Sequence, residues 1–227
     1  MKWFSKGEKV TIAMPCKESV PIQTLVAILN LHKPEYYFLS NNYIPLDKSR
    51  NDMVAKFLCL HPDASYLLFL DSDMVFPRDA LIRLYQHEAP IVGALYFQKY
   101  PPFFPVAGCR IAREKTKAIH LLVQWQEGQL FPVDALGLGF TLIRRDVFQK
   151  IEYPWFEFKE LSEDFEFMYK AQKAGFKVLL DSSILCLHKS DTVFIDRDFY
   201  SLFQRKLAAS SLTLEGKQVT AIPIPRQ

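Results

Sequence analysis

Asp71-Ser72-Asp73 closes the apolar run Tyr66-Leu67-Leu68-Phe69-Leu70. A run that apolar predicts a strand buried on both faces. In open α/β sheets, ligands lie beyond the carboxyl ends of the strands, where these two acids emerge. Residues i and i+2 of an extended segment point the same way. Two carboxylates aimed at one spot repel each other unless a cation sits between them. Hard oxygen ligands suit Mg²⁺ or Mn²⁺, and such an ion commonly carries the phosphates of a nucleotide. Asp71 and Asp73 are thus candidate metal ligands of a diphosphate-handling enzyme. The triplet alone is weak support, because Asp-x-Asp also occurs as a solvated turn or helix cap.

Other residues add to it. Ser162-Glu163-Asp164-Phe165-Glu166 places three acids in the first turn of an expected helix. Capping and the helix dipole account for such a start. A carboxylate fixed there at a cleft edge also suits a general base, which must lie within hydrogen-bond reach of the proton it removes. His188 ends an apolar strand, either as a satisfied structural residue or as a third metal ligand beside Asp73. Arg50, in Lys48-Ser49-Arg50-Asn51, meets a phosphate or base, or is a solvated charge. No GxGxxG follows the first strand, and Gly137-Leu138-Gly139 is no substitute. P-loop and GxSxG patterns are absent too, so phosphates must be managed another way, and a metal on Asp73 supplies one.

These residues need a scaffold. Strands are expected at Val10–Pro15, Tyr36–Leu39, Tyr66–Leu70, Pro90–Tyr96, within 134–143, at Phe176–Leu180 and at Ile184–His188. Helices are expected at Glu18–Leu31, with Val20, Leu25, Ile28 and Leu29 inward, and at Ser49–Leu60, capped by Ser49 or Asn51. Others are expected from Pro77 to His87, from Arg145 to Ile151, and from Glu163 to Ala174 with Gly175 at the C′ position. Alternating strands and helices predict a parallel sheet covered on both faces. The prolines of Tyr100–Pro105 predict an irregular loop. Residues 107–135 resemble β-hairpin material turning at Glu127-Gly128.

The chain has 227 residues, 49% hydrophobic and 23% charged, enough for a sizeable core. A net charge of +3 is too small to argue for nucleic acid. Cys16, Cys59, Cys109 and Cys186 lack zinc spacing. Cys16, Cys59 and Cys186 lie in apolar contexts, which predicts buried free thiols and a reducing compartment. Neither a signal peptide nor an apolar stretch of transmembrane length is evident. The expected location is cytoplasmic, with peripheral membrane contact open. The expected organisation is one domain over 1–215, its nucleotide half at about 8–100 and its acceptor half at about 101–190, with a mobile tail at 216–227.

Taken in order, these segments resemble the GT-A glycosyltransferases, particularly the family 2-like group. The matching pieces are the first strand ending in Pro15, Ser49-Arg50-Asn51, Leu70-Asp71-Ser72-Asp73, Ser162-Glu163-Asp164 running into Ala174-Gly175-Phe176, and the strand ending in His188. Ile91–Tyr96 and Gly137–Phe140 look similar as well. The resemblance implies an α/β GT-A fold: a Rossmann-like, mostly parallel sheet flanked by helices, with a smaller β acceptor region. It implies Mn²⁺ or Mg²⁺ on Asp73, Asp71 and His188, with Asp164 as base in an inverting transfer and Glu163 supporting it or touching acceptor. Pro15, Cys16, Lys17, Glu18, Asn41, Arg50, Asp71 and Ser72 would bind the nucleotide sugar. Gly137, Leu138 and Gly139, with the 100–105 loop, would face a glycan, lipid, protein or small-molecule acceptor. The chain departs from the family in Cys16-Lys17-Glu18 and Asn41-Asn42, which leaves the base undefined. The alternatives are a sugar-nucleotidyltransferase, although the glycine-rich loop is missing, and a non-catalytic glycan- or protein-binding module.

Overall fold

A computed structural model describes residues 4–16, 18–42, 45–110, 119–190 and 193–211. Lys17 and the 216–227 tail lie outside the described residues. In chain order the elements are β1 (Lys9–Pro15), α1 (Ile22–Asn30), β2 (Glu35–Asn41), α2 (Leu46–Leu60), β3 (Tyr66–Leu70), β4 (Met74–Val75), α3 (Ala80–Gln86) and β5 (Ile91–Leu95). They continue with β6 (Ala107–Cys109), β7 (His120–Leu121), β8 (Leu130–Pro132), β9 (Ala135–Leu136), β10 (Phe140–Arg144), α4 (Arg145–Lys150), α5 (Glu163–Lys173), β11 (Val178–Leu185), β12 (Leu187–Lys189), β13 (Phe194–Ile195) and α6 (Arg197–Ser211).

Seven strands form the central sheet in the order β2-β1-β3-β10-β5-β11-β8. β2, β1 and β3 are parallel, as are β5 and β11. β10 runs antiparallel between β3 and β5, and β8 antiparallel on the edge of β11. The sheet is therefore mostly parallel rather than wholly so. Its strands send alternate side chains to opposite faces. Leu67 and Phe69 of β3 join Met53, Val54 and Phe57 of α2 and Phe167 and Met168 of α5. Tyr66, Leu68 and Leu70 join Ala27 and Ile28 of α1 and Ala80, Leu81 and Leu84 of α3. All of β3 is buried, as its unbroken apolar run requires.

Several expectations change. α1 begins only after Pro21 and buries Thr24, Ala27 and Ile28, leaving Leu25 and Leu29 exposed. Two apolar stripes compete at helical spacing, and the sheet takes the one with the smaller side chains. α2 starts at Leu46, so Ser49 and Asn51 are not caps. Buried Asn51 instead bonds the Phe156 backbone, donating to its carbonyl at 2.7 Å and accepting from its N–H at 3.2 Å. That clamp ties α2 to the segment entering α5. Pro77 precedes α3, its carbonyl accepting from the Ala80 N–H at 3.0 Å. Gly128 makes the expected turn at φ +68°, but β7 pairs with β6 while β8 pairs with β11, so no hairpin closes there. Ile184 belongs to β11, and the strand carrying His188 is the separate β12. Cys59 is exposed and Cys16 half-buried; Cys186 is buried, and all are free thiols.

Candidate functional site

The carboxyl ends of β1, β3 and β5 define the site. Past β3 the chain makes a tight turn into β4, and β12 pairs antiparallel with β4, His188 opposite Met74. The Lys189 N–H bonds the Asp73 carbonyl at 2.9 Å. This small sheet brings a residue from late in the chain against Asp73: His188 Nε2 is 3.3 Å from Asp73 Oδ1. His188 Nδ1 lies 2.8 Å from the Phe97 carbonyl. A carbonyl can only accept, so Nδ1 carries a proton and Nε2 faces the carboxylate. Burial would raise the Asp73 pKa, but hydrogen bonds and charge from His188 and Lys99 outweigh it and hold it near 2. Burial would likewise lower His188, yet Asp73 keeps it above the ordinary imidazole value.

Asp71 goes elsewhere. Its Oδ1 is 3.4 Å from Nη2 of Arg50, whose Nη1 makes a short ion pair with Glu163. The guanidinium is 3% exposed, too buried in this arrangement to meet a phosphate. Arg50 instead ties α2, the end of β3 and the start of α5 together. Burial opposes its charge, and Asp71 and Glu163 more than restore it. Burial raises Glu163 despite Arg50. Among the described residues no three His, Cys, Asp or Glu side chains group closely enough to hold a metal. The expected triad is thus an Asp73–His188 pair, with Asp71 held by Arg50.

Asp164 stands next to this hub. Ser162 occupies the N-cap position, but its hydroxyl bonds Asp164 Oδ1 instead of capping the backbone. The Phe165 N–H donates to the same oxygen at 2.8 Å. Burial pushes the Asp164 carboxyl above its ordinary value, against the pull of Arg50 and these hydrogen bonds. A cleft of about 450 Å³ opens beside it, lined by Gln98, Val106, Leu121, Leu161 and Phe165 among others. A half-buried carboxylate of raised basicity at a cleft wall can take a proton from a bound hydroxyl.

The other expected residues divide. Pro15 and Asn41 are paired across β1 and β2, and the Cys16 N–H donates to the Asn41 carbonyl at 3.0 Å. The Asn41 side chain is engaged by α2, donating to Asp52 at 2.8 Å and accepting from Ser49. Glu18 is exposed and Ser72 half-buried. Gly137, Leu138 and Gly139 are buried, Leu138 within the core. Both glycines pack on Tyr96, whose hydroxyl accepts the Gly139 N–H at 3.1 Å. A Cβ on Gly137 would lie 2.0 Å from that hydroxyl and 2.5 Å from Val106. Gly137→Ala is expected to destabilise the fold by about 1–3 kcal/mol, the usual cost of overpacking, read as a lower urea midpoint at unchanged m.

Lys99 and the Phe97 carbonyl also reach the site, and no sequence motif marks either. Lys99 Nζ lies 2.9 Å from Asp73 Oδ2. Its signal was positional only: a lysine just past the carboxyl end of a buried strand. The Tyr100–Pro105 loop folds back onto α6, Phe103 meeting Phe199 and Phe203 with ring centroids 5.0 and 4.8 Å apart.

No family model and no curated protein matches the chain. Solved structures do. A197 from STIV is 22% identical with a TM-score of 0.61, over 84% of this chain and 91% of that one. GalNAc-T7, solved with UDP, GalNAc and Mn²⁺, is 11% identical with a TM-score of 0.51, over 80% of this chain. The match spans 43% of the GalNAc-T7 chain, less than half its length. At these identities the likeness concerns the fold, which is GT-A-like: a mostly parallel sheet flanked by helices. No described helix is long and apolar enough to cross a membrane.

Proposed function

We propose that this protein transfers a sugar from a nucleoside diphosphate sugar to an acceptor hydroxyl, with inversion. The observation that carries it is Asp164, raised in basicity beside a cleft and next to an ionic hub in which Arg50 joins Glu163 to Asp71 at the end of β3. The fold likeness to a glycosyltransferase solved with UDP and Mn²⁺ supports the donor class. Asp164 accepts the acceptor proton as the hydroxyl attacks. Ser162 orients it, and Glu163, locked by Arg50, fixes the start of α5. The nucleotide would lie over Pro15, Cys16, Glu18, Asn41 and Ser72.

Asp73 and His188 fit a divalent ion. They offer one carboxylate and one imidazole nitrogen oriented by a backbone carbonyl, and Mg²⁺- or Mn²⁺-type sites commonly take one or two protein ligands plus substrate phosphates. When bound, Mn²⁺ or Mg²⁺ would neutralise charge on the departing diphosphate. The acceptor, a glycan, lipid, protein or small molecule, enters the cleft beside Asp164. Four free thiols suit a reducing, cytoplasmic compartment.

Calorimetric titration of nucleoside diphosphates, with and without Mn²⁺, tests the donor site. Wild type is expected to bind one base far better with Mn²⁺, and Asp73→Asn to lose that gain. An unchanged affinity in Asp73→Asn, or no nucleotide binding at all, overturns the assignment. The rate should also carry an acid limb. A base works only when deprotonated, so kcat falls as pH drops through the raised Asp164 pKa. The midpoint is expected above the ordinary aspartate value of about 3.9, and a pH–rate profile reads it.

A further inference from the structure

Asp73 has a basic side chain on each side. His188 Nε2 approaches Oδ1 at 3.3 Å, and Lys99 Nζ approaches Oδ2 at 2.9 Å. The lysine backbone is well placed to hold it there. The Gln98 N–H donates to the Phe104 carbonyl at 2.9 Å, and Phe97 bridges to Pro105, so the chain either side of Lys99 is folded back on itself. The Phe97 carbonyl, two residues earlier, orients His188. Lys99 itself is 39% exposed on a flexible stem, and its ammonium lies 5.8 Å from the Tyr100 ring centroid. It has both a reason to sit on Asp73 and room to leave.

We propose that Lys99 is a displaceable counter-ion, resting on Asp73 until a divalent ion binds there and then moving onto the diphosphate oxygens of the donor. This assignment presupposes the Asp73–His188 ion site proposed above. Two features of charge support it. An ammonium and a divalent ion on one carboxylate repel each other, so an ion on the Oδ1 side weakens the lysine's hold on Oδ2. A nucleoside diphosphate carries more negative charge than one divalent ion cancels, and a lysine on a short tether supplies the remainder as a mobile point charge. Lys99 would thereby protect Asp73 from an unpaired, half-buried charge before loading, and stabilise the leaving group afterwards.

Opposite shifts in two affinities are the signature. Mn²⁺ alone, and then pyrophosphate on the Mn²⁺-loaded protein, are titrated calorimetrically into wild type, Lys99→Met, Lys99→Gln and Asp73→Asn. Both Lys99 variants are expected to bind Mn²⁺ about five-fold tighter and pyrophosphate about five-fold weaker, the scale of one partly exposed ion pair. If wild type binds Mn²⁺ and Asp73→Asn does not, but the Lys99 variants bind it no tighter, Lys99 is no competitor and the ion site stands. If wild type binds Mn²⁺ neither alone nor together with pyrophosphate, the ion site fails and the Lys99 assignment falls with it.

Discussion

Asp164→Asn is expected to lower sugar transfer by about 10²–10⁴-fold, the usual contribution of a positioned acid–base group, while nucleoside diphosphate affinity holds. The amide keeps the shape, so the Phe165 N–H and the Ser162 hydroxyl can still reach its oxygen. What it loses is the capacity to take a proton. Replacing the carboxylate also removes a half-buried negative charge that desolvation disfavours, so the variant should be no less stable than wild type. Loss of turnover with intact fold and intact donor binding separates a base from a structural acid. Steady-state kinetics and calorimetry on one preparation make the comparison. Near-normal turnover would remove Asp164 from the base role.

Arg50→Met is expected to cost about 3–5 kcal/mol of stability, because it leaves Glu163 buried without its counter-charge. Asp71 loses the same partner at 3.4 Å. For a chain of this size each kcal/mol moves the melting temperature by about 2–4 °C. Arg50→Lys should rescue little, since an ammonium cannot span two carboxylates with a planar fork. Arg50→Met combined with Glu163→Met should regain part of the loss, the test being a double-mutant cycle in urea. If Arg50→Met alone is neutral, the hub does not hold α5 in place.

The chemistry-bearing segments were more legible in the sequence than the surfaces around them. β3 has the expected bounds, since an unbroken apolar run closed by two acids has few other solutions. α5 begins at Glu163, and Gly175 follows it at φ +90°, as its capping pattern indicates. Strand direction was not legible: Phe140–Arg144 is apolar enough for a central strand, but nothing local makes it run antiparallel between β3 and β5. The α1 face was ambiguous because Ile22, Leu25, Val26 and Leu29 repeat with the same period as Thr24, Ala27, Ile28 and Leu31. Partners were harder still. Arg50 and Glu163 are 113 residues apart, and Lys99 and Asp73 are 26 apart. Residue type marks each as chargeable, and only the fold decides which charges meet. Thus Arg50, expected at a phosphate or base or as a solvated charge, is an internal strut, and Lys99, which no motif marks, lies on the proposed metal ligand.

The most direct test of the central claim is release of nucleoside diphosphate from a panel of nucleoside diphosphate sugars, with Mn²⁺ and a mixed acceptor panel, by wild type and Asp164→Asn. The expected result is release from one donor class, accelerated by acceptor and lost in Asp164→Asn. Equal release by both proteins, or none from any donor, would contradict it.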